Sequence, residues 1–254
     1  MHLYPLAGFL VGLLIGLTGV GGGSLMTPLL ILAFGVAPVS AVGTDLLQAF
    51  VTKSVGTAVH EVGRTVAWRI VLRLAAGSLP AATLTILFLS RRLHSAGAMR
   101  VILVLLGISV IVTAVAVLFK GTLMRLTGPA ADRLPRGWAA ALTVTAGALL
   151  GVLVTLTSVG AGALGVVLLT FLYPELPTPR VVGADIAHAV PLTLLAGIGH
   201  WWLGDVDWGL LGALLVGSVP GVVAGSLLVP RVPERVLRPV LAVVLLAAGT
   251  KLIH

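Results

Sequence analysis

Read for polarity alone, the chain is a succession of long apolar stretches parted by short polar breaks. The apolar segments fall at 6–34, 41–59, 70–90 and 98–119, then at 139–172, 181–203, 208–229 and 236–253. Runs such as 101–119 and 139–157 are long enough to cross about 30 Å of hydrocarbon as α-helix. None alternates with period two over strand lengths, so membrane helices rather than a β-barrel are expected. The one sizeable polar stretch, 120–137, holds Lys120, Arg125, Gly128-Pro129, Asp132, Arg133, Pro135 and Arg136. It parts the chain into a first half, 1–119, and a second, 138–254.

The two halves repeat each other. Gly12-Leu-Leu-Ile-Gly-Leu-Thr18-Gly19-Val20-Gly21-Gly22-Gly23 returns as Gly151-Val-Leu-Val-Thr-Leu-Thr157-Ser158-Val159-Gly160-Ala161-Gly162. Val42-Gly43-Thr44-Asp45 returns as Val182-Gly183-Ala184-Asp185, His60 as His200, Trp68 as Trp208, and Gly77-Ser78-Leu79-Pro80 as Gly217-Ser218-Val219-Pro220. A duplicated, very apolar chain whose copies each open with a glycine-interrupted segment has the pattern of a secondary transporter.

Those opening segments admit two geometries. Glycines in a helix interior cost about 1 kcal/mol each relative to alanine, and the backbone they free needs partners inside a membrane. Each segment therefore either crosses as a broken helix or enters and returns as a re-entrant hairpin with the glycines at its tip. Loop charges discriminate. With full crossings, eight lysines and arginines face seven. With hairpins, Arg64, Arg69, Arg73, Lys120, Arg125, Arg133, Arg136, Arg180, Arg231, Arg235 and Arg238 share one side, and Arg91, Arg92, Arg100 and Lys251 keep the other. Eleven against four obeys the positive-inside rule. The expected fold is an all-α polytopic membrane protein of two inverted repeats, each a re-entrant glycine-rich segment plus three transmembrane helices. Trp68, Trp138, Trp201, Trp202 and Tyr173 lie near span ends, where interfacial aromatics are expected.

Composition agrees. Hydrophobic residues make up 58% and charged ones 9%, against about 25% charged in soluble domains, and mean hydropathy is +1.16. The net charge of +8 is read as topology signal in short loops, not as a nucleic-acid surface. With no cysteine, disulfides and thiol chemistry are out. The first apolar run belongs to the repeat and is read as structure rather than as a cleaved leader.

Candidate chemistry gathers at the glycine tips. A half-helix starting just after each tip, near Ser24 and Ala163, would direct its free amides and positive dipole end at mid-membrane, making an anion site at Gly21, Gly22, Gly23 and Ser24 and at Gly160, Ala161 and Gly162. Close helix packing by small residues is the other reading. Asp45 and Asp185 are carboxylates set in apolar segments, either proton sites or N-caps of the helices that follow. Lys53 lies deep in the second segment with Asp45 about 80° away around the helix, so it calls for a partner elsewhere or an arriving anion. Thr44, Gln48 and His188 are further candidate substrate contacts; His188 could also titrate near neutral pH and is grouped with Asp45 and Asp185 for proton coupling. His60 and His200 sit near segment ends and are read as interfacial. The histidines and aspartates form no recognisable metal site, and no cofactor is expected.

These motifs, in this order and doubled, resemble the TauE/SafE family of anion permeases, the sulfite exporter family. A His-Gly-Val-Trp series at His60, Gly63, Val66 and Trp68 recurs as His200, Gly204, Val206 and Trp208 and adds to the likeness, which spans essentially the whole chain. The resemblance implies a bacterial inner-membrane transporter, not an enzyme, for sulfite, thiosulfate, sulfonates or related organic anions, coupled to the proton gradient. Its partners would be the small anion and the lipid bilayer, with a homo-oligomer left open and no nucleic acid. A passive anion channel on the same scaffold is the alternative and would not depend on titratable residues. An intramembrane enzyme using Ser158, His188 or His200 would need a nucleophile, base and orienting acid in one constellation, which this spacing does not supply.

The topology is directly testable. Single cysteines placed at position 2 and within 120–137 should react with an impermeant maleimide from opposite faces of the membrane; labelling of both from one face would overturn the inverted arrangement.

Overall fold

The computed structural model describes residues 3–18, 23–62, 64–92, 96–127, 136–228 and 234–253. Among these the regular structure is helical: α1 (Leu3–Thr18), α2 (Gly23–Leu32), α3 (Pro38–Val62), α4 (Trp68–Arg92), α5 (Ala96–Thr127), α6 (Arg136–Thr157), α7 (Ala163–Leu172), α8 (Thr178–Trp202), α9 (Trp208–Leu228) and α10 (Glu234–Ile253). Helices α4, α5, α6, α8 and α9 each carry an apolar stretch of span length. Helix α3 is 25 residues long, but Asp45, Gln48, Lys53 and His60 interrupt its apolar character, so neighbouring helices rather than lipid must cover it. The polar linker is shorter than its composition suggests. Helix α5 runs through Lys120 and Arg125 to Thr127, and α6 already starts at Arg136, because lysine, methionine and arginine sustain a helix beyond the end of an apolar run.

Both glycine-broken segments fold back on themselves. The ring of Tyr4, at the start of α1, packs 4.9 Å from that of Phe34, just past the end of α2. In the second half Tyr173, just past α7, exchanges a 2.7 Å hydroxyl hydrogen bond with Thr143 near the start of α6. The Tyr173 hydroxyl also accepts from Arg73 of α4 at 3.0 Å. Each pair therefore joins the outer ends of the two helices that flank a break. Tyr173 is buried by this role instead of lying at an interface. Trp68, Trp138, Trp201 and Trp202 do stand exposed at helix ends.

The hairpins pack crosswise: α1 lies along α9, α6 lies along α4, α3 along α8 and α5 along α10. Glycine makes these approaches possible. A Cβ on Gly77 would run into the Val144 carbonyl, and one on Gly147 into the Leu74 carbonyl. In the other crossing, a Cβ on Gly217 would strike the Pro5 carbonyl and one on Gly8 the Leu214 carbonyl. Small residues that let backbones touch are how helices associate in lipid, where no hydrophobic force drives them together. The buried core follows the same scheme, with Leu106, Val110, Leu214 and Leu241 on one flank. Leu74, Leu150, Val166 and Leu169 fill the other, and Leu46, Ala82, Val154, Ala189 and Leu192 the centre. Large apolar side chains such as Leu72, Leu84, Phe88, Leu149, Val216 and Leu227 point outward, as a surface solvated by lipid requires. The protein is a multi-pass α-helical membrane protein.

Gly77→Ala should cost about 1–3 kcal/mol of stability by overpacking α4 against α6. Gly212→Ala, whose Cβ would meet open space, should be neutral or stabilising by up to about 1 kcal/mol. Thermal unfolding of the two purified variants checks the contrast; equal melting points would show that the close approach is not required.

Candidate functional site

The centre of the molecule is where α3 and α8 cross beside the break between α6 and α7. Helix α6 ends because its last turn is diverted: the Val159 amide donates to the Thr157 hydroxyl at 3.1 Å. Ser158 then adopts φ 58°, and Gly160 and Gly162 lie at φ 128° and 135°, conformations that favour glycine. Helix α7 restarts with the Gly165 amide on the Gly160 carbonyl at 3.1 Å and the Val166 amide on the Gly162 carbonyl at 3.0 Å.

Into this break reaches Lys53. Its ammonium donates to the Ala161 carbonyl at 2.7 Å, and the side chain is buried. Among the described residues it forms no ion pair with Asp45, as its place around the helix predicts; both carboxylates attract it from a distance instead. A backbone carbonyl orphaned by the break thus meets the one lysine of α3, 108 residues away.

Both aspartates lie two turns inside their helices, so neither is an N-cap. The cap reading fails because α3 starts at Pro38 and α8 at Thr178, earlier than the apolar segments suggest. Asp45 accepts the Thr27 hydroxyl of α2 at 2.5 Å. Asp185 is differently placed. Fully buried, it lies against the Cα of Gly165, where a Cβ would collide with its Oδ1. It faces Lys53 and the Gly162 amide, yet neither carboxylate oxygen closes a hydrogen bond. The difference traces to the repeat, in which Val166 of α7 stands where α2 has Thr27. The amide end of α7 therefore already faces a resident carboxylate, which the sequence pattern alone leaves out of account.

The neighbouring polar pairs are also unequal. His188 Nε2 shares a 2.8 Å hydrogen bond with the Ser78 hydroxyl, while its Nδ1 is unpartnered. The repeat counterparts of Ser78 and His188 are Ser218 and Gln48, and Gln48 Oε1 and Ser218 Oγ both lack a partner, as does Ser158 Oγ. Buried polar atoms without partners are rare enough to call for a ligand, a water or a proton. Thr44 leaves the group: its hydroxyl accepts the Asp207 amide at 3.1 Å and so braces the turn before α9. Gly21 and Gly22 lie outside the described residues. Gly23 opens α2, and Ser24 is buried beside it. His60 is in α3, but its side chain lies outside the described residues. His200 is buried rather than interfacial. Gly165 was missed by sequence reasoning, although its place one turn into a short helix after a glycine break was the available signal. No metal-holding group of histidine and carboxylate side chains occurs among the described residues.

Residues 4–252 match the family described as Sulfite exporter TauE/SafE. The chain belongs to that family. It is 40% identical over 253 residues to "Probable membrane transporter protein YjnA" of Bacillus subtilis (strain 168), a match covering 98% of each chain. A second relative from the same organism, "Probable membrane transporter protein YunE", is 40% identical over 70 residues, 28% of this chain and 26% of that one. No solved structure matches. The family and the full-length relative make this a membrane transport protein.

Gly165→Ala should lower stability by about 1–3 kcal/mol through its collision with the Asp185 carboxylate. In an Asp185→Ala background the same substitution should cost measurably less, because the two positions couple. A double-mutant cycle on thermal unfolding checks this; strict additivity would mean that the two do not touch.

Proposed function

We propose that this TauE/SafE protein is a secondary transporter that carries a small sulfur-containing anion, such as sulfite, thiosulfate or a sulfonate, across the bacterial inner membrane together with a proton. The observation that carries the reading is Lys53, a buried ammonium donating into the glycine break at 2.7 Å, next to a buried carboxylate that has no hydrogen-bond partner. While Asp185 is ionised, it fills the positive corner made by Lys53 and the α7 amide end. Once protonated, it stops competing for that charge and becomes a hydrogen-bond donor. An arriving oxyanion then takes the ammonium, the free amides and the new hydroxyl together. An anion and a proton enter as a unit, because either alone leaves a buried charge uncompensated. Gln48, Ser218 and His188, with their free polar atoms, supply the remaining contacts. Asp45 keeps Thr27 as its donor and acts more as a fixed counter-charge to Lys53.

The inverted arrangement belongs to the same proposal. It is supported by the crosswise pairing of α1 with α9 and of α6 with α4, by the two returning hairpins, and by the eleven-to-four arginine and lysine count. Transporters of this kind bind substrate near the midplane, at the interface between repeats.

A thermal-shift and calorimetric screen of purified protein with sulfite, thiosulfate and sulfonates tests the substrate class. Lys53→Met should fold yet bind the preferred anion at least tenfold more weakly, about 1.4 kcal/mol. Lys53→Arg should recover only part of the affinity, since the planar fork reaches differently. A methionine variant binding as tightly as the parent would place the site elsewhere. Flux that survives replacement of Asp45, Asp185 and His188 would favour the channel.

A further inference from the structure

His200 lies fifteen residues beyond Asp185, in the last turn of α8, and its surroundings are those of a second, separate proton site. Its ring is buried, with relative exposure 1%, and both nitrogens face acceptors. Nε2 is 2.9 Å from the carbonyl oxygen of Thr155 in the last turn of α6. Nδ1 is 3.3 Å from Oδ2 of Asp205, in the turn that follows α8. A carbonyl only accepts, so Nε2 must carry hydrogen. A neutral ring would then turn a bare lone pair towards a carboxylate. With Asp205 ionised, the doubly protonated ring satisfies both contacts.

The carbonyl it holds is not an ordinary one. Within an unbroken helix the Thr155 oxygen would accept from the Val159 amide, but that amide is turned to the Thr157 hydroxyl. The broken end of α6 thus leaves an orphan carbonyl at its negative pole, where a cation is favoured. His200 supplies both the donor and the charge, and Asp205 supplies the counter-ion. Helix α3 brings Gly43, against the His200 Cβ, followed by Thr44, which is engaged by the Asp207 amide. The Asp207 carboxylate caps α9 at Leu210, and α4 brings Ile86 against the neighbouring Gly199. Asp45, next along α3, is turned to Thr27. Asp205 is therefore the charged group that answers the ring. In the other half the residues at the same offset are His60 and Thr65, so the carboxylate belongs to one half only.

We propose that His200, as an imidazolium paired with Asp205, is a proton-dependent cap on the broken end of α6, positioning the Ser158–Gly162 break for the anion. Loss of the ring proton leaves Nδ1 facing the Asp205 carboxylate unpaired and loosens the cap. The turn that places the Ala161 carbonyl before Lys53 then loses its anchor. The link to anion binding rests on the function proposed above; the cap itself does not.

The experiment uses purified full-length protein carrying 15N-labelled histidine, with sulfite as the probe. His200→Gln keeps an N–H for the Thr155 carbonyl but does not titrate, and Asp205→Asn removes the counter-ion. In the parent, the ring signal absent from His200→Gln should show both nitrogens protonated at low pH, and thermal stability should fall as that signal titrates. Sulfite affinity should fall by about fivefold over the same interval, the size expected for a partly buried cation at a helix end. His200→Gln, which keeps the donor and lacks the charge, should show no step. Asp205→Asn should weaken the step. A neutral His200 ring throughout, or a step that persists in His200→Gln, overturns the proposal. Parent protein that binds no anion but shows the ring titration and the matching stability step would leave the cap standing and remove the substrate reading.

Discussion

A helix that stops inside hydrocarbon leaves carbonyls and amides that lipid cannot satisfy, and the centre of this protein is arranged around that constraint. Where α6 stops, Thr157 takes the Val159 amide, His200 takes the Thr155 carbonyl and Lys53 takes the Ala161 carbonyl. Where α7 restarts, Asp185 comes to rest against Gly165 and faces the Gly162 amide. Apart from Thr157 at the end of α6, these side chains belong to α3 or to α8. The need to complete one interrupted backbone thus brings α3 and α8 together beside it. The charged residues that a membrane span would otherwise exclude are tolerated because the break supplies their partners.

That geometry also explains why the site is asymmetric in a chain that repeats itself. Asp45 has Thr27 as donor, and Asp185 has Val166 in the corresponding place and no donor. Ser78 is joined to His188, while the counterpart pair, Ser218 and Gln48, is left open at Ser218 Oγ and Gln48 Oε1. A few substitutions between the two copies thus leave some of the polar groups paired and their counterparts with unfilled hydrogen-bond capacity.

Much of the architecture was legible in the chain. Apolar length marked out the helices, of which five have span length, and the doubled motifs named the polar residues that gather beside the break. The boundaries were less legible. Helices α3 and α8 begin several residues before their apolar segments, which removes the N-cap alternative for Asp45 and Asp185, and α5 continues into the polar linker. Helix continuation depends on backbone propensity and end caps, which apolarity alone does not report.

The sequence by itself determined what lipid demands of every residue locally: which stretches are apolar enough to span, where glycine must interrupt them, and that Asp45, Lys53 and Asp185 need partners. Only the tertiary structure decided who those partners are. Lys53 finds a backbone carbonyl 108 positions away, Arg73 a tyrosine 100 positions away, and Gly165 owes its identity to a carboxylate of the next helix. A backbone oxygen carries no signature in the sequence, because all residues have one. Which of them is orphaned depends on where a helix breaks and which neighbour arrives there.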